Sequence, residues 1–330
     1  MSRRGAWPRW LLLIFAALLA LLLLVGAWTA WQWWYRPGMD QLIAHQLPVS
    51  QTHSNEQLQI TWLGVSTLLI SDGETTLLTD PFVSRPPLAQ VLLNRPLKPD
   101  AAMVERLFEQ LGVQRIQAML VGHSHYDHIM DVGLIGARSG ALLVGSASSV
   151  NIALGHGLPE IQTLQIEADT PIRIGEFSIT FIPARHAGAT GGRPLGDVEQ
   201  PLATPARGSD YKQGGSYSIL IDHPRASLLY HGSAGFIPGA LQAYRADAVL
   251  LGIALLPDLA TYLEQVVDAV GAGTVIPVHW DDFTRPLDAP LEPLPFVVQV
   301  DEFFEKMREL RPGLRIVTLP LAQPVAWPPE

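Results

Sequence analysis

The densest chemistry in this 330-residue chain lies within six positions, His123-Ser124-His125-Tyr126-Asp127-His128. They follow an apolar run, RIQAMLVG, that reads as a strand, so the cluster stands where a strand opens into a loop and a helix begins. On an extended segment His123 and His125 project to one side and can reach the same ion. Asp127 and His128 turn onto the helix start, within reach of a second ion. Imidazole and carboxylate without thiolate suit Zn²⁺ first, with Mn²⁺ or Fe as alternatives. Three of the ten histidines within six residues, with a carboxylate between them, are too dense for chance. Two further histidines close strand-like runs: His186 ends FSITFIPARH and His279 ends TVIPVH. Alone, each reads as an ordinary partly buried histidine. Beside the cluster they become candidate ligands, because strand C-termini are where α/β sheets build their sites.

Such a cluster needs a sheet scaffold, and the rest of the chain supplies one. Short aliphatic or β-branched runs recur, among them QLQITWLG, STLLISD, TTLLTD, GALLVG, SYSILIDH, ASLLYHG, AVLLGIA and RIVTLP, with Gly, Asp or Asn at most junctions. Asp72-Gly73 and Ile174-Gly175 read as hairpin turns. Helices are expected over 101–112, with Met103, Leu107 and Leu111 on one face, over 258–270 and over 301–310. Hairpins dominate the first half and strand–helix alternation the second, which suggests one α/β body of two sheets with helices outside.

The motif H-x-H-x-D-H, with His186 and His279 downstream, resembles the metallo-β-lactamase superfamily. ITWLGVSTLLI, LLTDPF, GGSYSILI, LLYHGSAGF and TVIPVHWDDF are similar to successive strands of its N-acyl phosphatidylethanolamine phospholipase D-like and ascorbate-phosphate lactonase-like branch, over about residues 58–285. The resemblance implies an αββα sandwich. It implies one metal on His123, His125 and His186 and a second on Asp127, His128 and His279. A water or hydroxide between the two would be the nucleophile, its pKa brought towards neutrality. Asp80 in LLTDPF matches an acidic position that supports the ligands from behind. Two departures stand out. Val65 occupies a place where the family usually has His, and Ser233 occupies that of the bridging aspartate, in His231-Gly232-Ser233-Ala234-Gly235. Ser233 cannot bridge two cations, so the second ion should bind more weakly. His231, two residues earlier, is expected to face the same side and compensate as ligand or proton donor. Asp127 and His231 are thus the candidate catalytic residues.

The N-terminus points to a membrane. No charge occurs from Trp10 to Tyr35, a run long enough to span a bilayer, and Trp28, Trp31, Trp33, Trp34 and Tyr35 crowd its end like an interfacial belt. Arg3, Arg4 and Arg9 precede the run, which places the N-terminus in the cytoplasm and the body in the periplasm or outside. Its length and the aromatic cluster favour an uncleaved anchor over a signal peptide cut near Val25 or Ala27. The expected organisation is an anchor over 1–36, a linker over 37–56, and a catalytic domain over 57–330 whose Pro-rich tail from Pro320 runs over the surface.

Composition narrows the functions. Charged residues make up 16% against the roughly 25% of a soluble domain, and mean hydropathy is +0.20. The net charge is −9, and lysines number three, Lys98, Lys212 and Lys306, which disfavours nucleic acid as a partner. Without cysteine there are no disulfides, thiolate metal sites or cysteine nucleophiles. The long glycine-rich loop Ala187–Gly215 starts beside a candidate ligand and offers Arg193, Arg207, Tyr211 and Lys212 to an anionic substrate. The stretch Ser84–Lys98 is expected to border the site or the bilayer. The expected function is a membrane-anchored, metal-dependent hydrolase of phosphodiesters, lactones or carboxylic esters, its substrate a small molecule or lipid-like. The alternative is a weakened, metal-binding envelope protein that lacks the bridging carboxylate.

Overall fold

The computed structural model describes residues 9–36, 38–50, 57–188 and 193–329. Arg3 and Arg4 of the proposed cytoplasmic flank, residues 51–56 of the expected linker, and residues 189–192 of the glycine-rich loop lie outside the described residues.

Period-two alternation sets the two main layers. The first sheet orders its strands Pro324–Trp327, Leu58–Trp62, Leu68–Ser71, Thr76–Thr79, Ala118–Leu120, Leu142–Gly145 and Thr163–Gln165. The second runs Arg315–Ile316, Thr274–Val278, Ala248–Gly252, Ala226–His231, Tyr217–His223, Phe177–Pro183 and Ile172–Ile174. Leu58, Ile60, Trp62, Ala118 and Leu120 share one core with Phe177, Ile179, Phe181 and Ile219 of the second sheet. The alternate residues Leu69, Leu78, Met119 and Leu143 turn outward and pack with Val104, Leu107, Phe108, Ile135 and Ile152, so helices cover that face. Helical segments over 259–268 and 300–310 bring Val266, Val267, Phe303 and Phe304 into the core with the second sheet. This is the α/β sandwich expected.

Local signals act as expected in several places. Asp72 Oδ1 accepts the Glu74 and Thr75 N–H groups at 2.9 and 2.6 Å, which closes the first hairpin. Gly175, at φ 57°, turns the second. Asp100 caps the helix Ala101–Leu111 by accepting from Met103 N, and Gly112 ends it in the left-handed region. The buried stripe of that helix is Val104, Leu107 and Phe108, not Met103 and Leu111, because Phe108 carries the larger apolar surface.

Two expectations are corrected. The segment 37–56 is not a free linker over its described part: Met39–Ala44 is helical with Leu42 buried, and Leu47 N donates to Thr318 O at 2.9 Å. The tail does not run over the surface. Pro324–Trp327 pairs antiparallel with Leu58–Trp62 and buries Val325 and Trp327, its proline tolerated at the first residue of an edge strand.

The first helix, Arg9–Trp34, is apolar and long enough to cross a membrane. Its apolar side chains are exposed up to the last turns, where it meets the body. Gln32 is buried, and buried Arg36 pairs with Asp282 at 2.5 Å and Glu292 at 3.2 Å. The Trp28 and Phe296 rings lie 5.6 Å apart.

Candidate metal centre

The strand Ala118–Leu120 runs on through Val121 and Gly122 to His123 and to His125, which is extended, before the short helix Tyr126–Ile129 carries Asp127 and His128. The strand Phe177–Pro183 delivers His186, and Thr274–Val278 delivers His279. Ligand atoms of His123, His125 and His186 lie within 4.8 Å of one another, as do those of Asp127, His128 and His279. The groups adjoin: the His123 and His128 rings are 3.8 Å apart. Asp127 Oδ2 is 3.7 Å from His128 Nε2 and 3.5 Å from His279 Nε2.

Three of the five imidazoles are oriented by a hydrogen-bond partner. His128 Nδ1 meets Asp80 Oδ2, the same oxygen accepts the Tyr230 hydroxyl, and Asp80 Oδ1 accepts Gly122 N–H at 2.7 Å. His186 Nδ1 meets Ala187 O at 2.9 Å, and His125 Nε2 lies 3.3 Å from Pro194 O. Two buried nitrogens are left over: His123 Nε2 and His279 Nδ1 have no hydrogen-bond partner. Burial and the neighbouring His128 and His186 hold His123 well below the usual imidazole range, and burial pulls His186 down to about 4. Burial opposes charge on Asp127, yet His128 and His279 keep it well below the carboxylate range. Burial keeps His123, His125 and His186 neutral and Asp127 stays ionised, while the Asp80 and Asp127 carboxylates beside His128 raise it, a proton that a cation would displace; with a buried His123 nitrogen left unpartnered in the cluster, the residues fit a metal.

The supporting backbone is unusual. Val65, Asp80 and His279 are non-glycine residues at φ 49°, 37° and 57°. For β-branched Val65 this is a strained conformation, and it is tied down on both sides. Val65 N donates to Asp281 Oδ1 at 2.7 Å, and Val65 O accepts from His279 N at 2.7 Å and Trp62 Nε1 at 3.0 Å. Arg85 in turn pairs with Asp281 Oδ2 at 3.2 Å. Val65, in place of the expected histidine, thus contributes its peptide group to the seat of His279.

The other expectations divide. Ser233 lines the cavity over the centre, and its Oγ accepts Ala187 N–H at 2.9 Å, holding the loop after His186. His231 does not reach the site. It is buried, its Nδ1 meets Ser218 Oγ at 2.7 Å, its ring packs on Tyr262, and burial lowers it to about 4. Tyr211 is also turned away: it is fully buried with its hydroxyl 3.2 Å from His156 Nε2. Arg207 is exposed on a two-residue strand paired with Pro96–Leu97. Arg193 and Lys212 do line the cavity, about 750 Å³ in volume, with Val91, Asn94, Phe283, Leu294 and Val297. Tyr230, Asp281 and Arg85 escaped the sequence reading. The two acids that follow His279-Trp280 were the available signal for Asp281.

A family model described as a beta-lactamase superfamily domain matches residues 75–280. A UPF0173 metal-dependent hydrolase of Pyrobaculum islandicum is 31% identical over 184 residues, 55% of this chain and 71% of that protein. One from Myxococcus xanthus is 23% identical over 255 residues, 75% and 78% of the two chains. Among solved structures, the metallo-beta-lactamase fold protein YhfI of Bacillus subtilis superposes with a TM-score of 0.53 at 15% identity, covering 82% of this chain and 99% of its own. The metallo hydrolase Igni18 of Ignicoccus hospitalis gives 0.51 at 17%, covering 83% and 100%; at such identity the likeness concerns the fold. The chain belongs to the metallo-β-lactamase superfamily, and within it to the UPF0173 metal-dependent hydrolases. It is a metal-dependent hydrolase, with the His/Asp groups above as the candidate metal-binding residues.

Proposed function

We propose that the protein is a membrane-anchored hydrolase of an ester-type bond, a phosphodiester or a lactone or carboxylic ester, acting on the extracytoplasmic side. The observation that carries this reading is the pair of adjoining ligand groups under a largely apolar cavity that also holds Arg193 and Lys212. His123, His125 and His186 would hold one ion and Asp127, His128 and His279 a second, with Zn²⁺ the first choice for such donors. Bound divalent cations would supply an acidified water and polarisation of the bond to be cut. Asp80 and Tyr230 keep His128 aimed, and Ser233 fixes the backbone at Ala187, directly after His186. Arg193 and Lys212 attract an anionic group, and Phe283, Leu294 and Val297 receive an apolar portion and exclude water. The strand motifs around the centre support the phospholipase D-like and lactonase-like branch, and no basic patch suits a nucleic acid. The apolar helix and its flanking arginines support anchoring with the N-terminus in the cytoplasm.

Ser233 favours one secondary reading, a catalyst weakened by the loss of a bridging negative charge. The deciding experiment is metal content of the full chain in detergent, followed by turnover on generic phosphodiesters and lactones. About two equivalents with turnover is the expected result for a binuclear centre of this type. No uptake of added Zn²⁺ or Mn²⁺ would overturn the site assignment.

A further inference from the structure

We propose that the mouth of the cavity is a bilayer-contacting surface, so that an amphiphilic substrate enters from the membrane and not from bulk water. The inference rests on the reading of Arg9–Trp34 as a membrane-spanning helix, and it concerns where that helix holds the body.

The apolar run up to Ala27 is about 28 Å long at 1.5 Å per residue, close to the roughly 30 Å of a hydrocarbon core. Trp28 therefore stands at the hydrocarbon edge. Trp28 and Gln32, four residues apart, share one face of the helix, and Arg36 follows just past its end at Trp34. Each of these residues is engaged: Trp28 against Phe296, Gln32 buried, and Arg36 in buried ion pairs with Asp282 and Glu292. The body is thus seated against the last two turns of the helix and the residue pair that follows it, with segment 292–297 reaching up to the hydrocarbon edge. A body hung from a flexible tether would show none of these contacts.

That same segment is the lip of the cavity, since Leu294 and Val297 line it. Around the lip, apolar side chains face outward. Leu195 and Leu255 line the cavity and are still 51% and 47% exposed. Leu92 and Leu93, 72% and 62% exposed, sit between the lining residues Val91 and Asn94. Leu88 shares a second cavity with Trp33, Trp34 and Arg36, which places the short helix Leu88–Leu92 beside the end of the membrane helix. Leu255 and Phe296 are held at φ 55° and 64°, and Leu255 N donates to Val297 O at 3.3 Å. Left-handed backbone is disfavoured at leucine and phenylalanine, and the two side chains are left 47% and 44% exposed. Scattered surface leucines need no explanation, but a ring of them around one mouth, continuous with a membrane helix, does. The occupant that fits is a phospholipid bilayer, into which such rims insert roughly 5–10 Å.

The absence of cysteine makes a direct test available. Leu93→Cys, Leu195→Cys, Ala20→Cys and Ile161→Cys would be made singly in the full chain, labelled with an environment-sensitive fluorophore, and reconstituted into phosphatidylcholine vesicles brominated both near the ester end and near the methyl end of the acyl chains, so that shallow and deep labels are each within reach of bromine. Ile161 is 88% exposed and precedes the parallel strand Thr163–Gln165, so it lies at the opposite end of the sheet from the centre. Labels at 20, 93 and 195 should be quenched about twofold or more beyond the label at 161, given the expected depth of an inserted rim. If 20 is quenched while 93 and 195 match 161, the anchor stands and the bilayer-contacting mouth is overturned. If 20 is not quenched, the anchor reading fails and this proposal fails with it.

Discussion

Asp80 carries the most consequence per atom. Its carboxylate holds His128, the Tyr230 hydroxyl and the Gly122 peptide at once, from a fully buried position. Asp80→Asn keeps the shape but removes the charge that orients the imidazole, and should weaken metal binding about 10–100-fold, measured by competition with a chelating dye. Ser233→Asp should act in the other direction. A second carboxylate over the centre restores the missing charge, so occupancy of the weaker ion and turnover should rise together, at the expense of the Ala187 N–H contact. The histidine–aspartate cluster itself was legible because its members are adjacent in the chain and chemically distinctive. The role of His231 was misread for a geometric reason. Counting in twos from Ser233 assumed that the strand continues, whereas it stops at His231 and the chain turns through Gly232. With the alternation broken, Tyr230 is the residue that reaches Asp80, while His231 points into the core, and a one-residue offset exchanges the two faces.

Among the elements, the junction of the first hairpin strand with the strand-end loop at His279 is the one under tension. Arg85, Asp281, Val65 and His279 form a relay that crosses between the two sheets. Asp281→Ala leaves the Val65 N–H without its partner and the buried Arg85 guanidinium without its counter-charge, with only Leu63 O at 3.3 Å to accept from it, and should destabilise the fold by about 3–5 kcal/mol in urea unfolding. The ion on the His279 side should be lost before the ion on the His186 side, which native mass spectrometry would count. Hairpins and the helix end at Gly112 were readable locally because Asp72, Gly175 and Gly112 act on their own neighbours. The docked segment 38–50 and the C-terminal strand were not. Their signals, polarity in one and proline in the other, speak for exposure, and only the waiting edge of Leu58–Trp62 and the Thr318 backbone make them part of the body.

For the whole molecule, acid is the condition to which the fold should be most sensitive. His231 has a folded pKa of about 4 against an ordinary value of 6.5, so the unfolded chain binds the proton first. Its contribution is fully present above pH 6.5 and is lost as pH falls towards 4, about 3 kcal/mol in all. His231→Asn, which cannot titrate, should flatten that part of the stability–pH curve in denaturant titrations between these limits. The two nitrogens left without partners, His123 Nε2 and His279 Nδ1, carry a further implication. Because only the folded chain gathers these ligands, the melting temperature of the purified protein should climb with free metal and fall with chelator. Each tenfold rise in free cation above its dissociation constant adds about 1.4 kcal/mol. A thermal melt run across a metal series then becomes a calorimetric titration of the centre, able to rank cations without knowledge of any substrate.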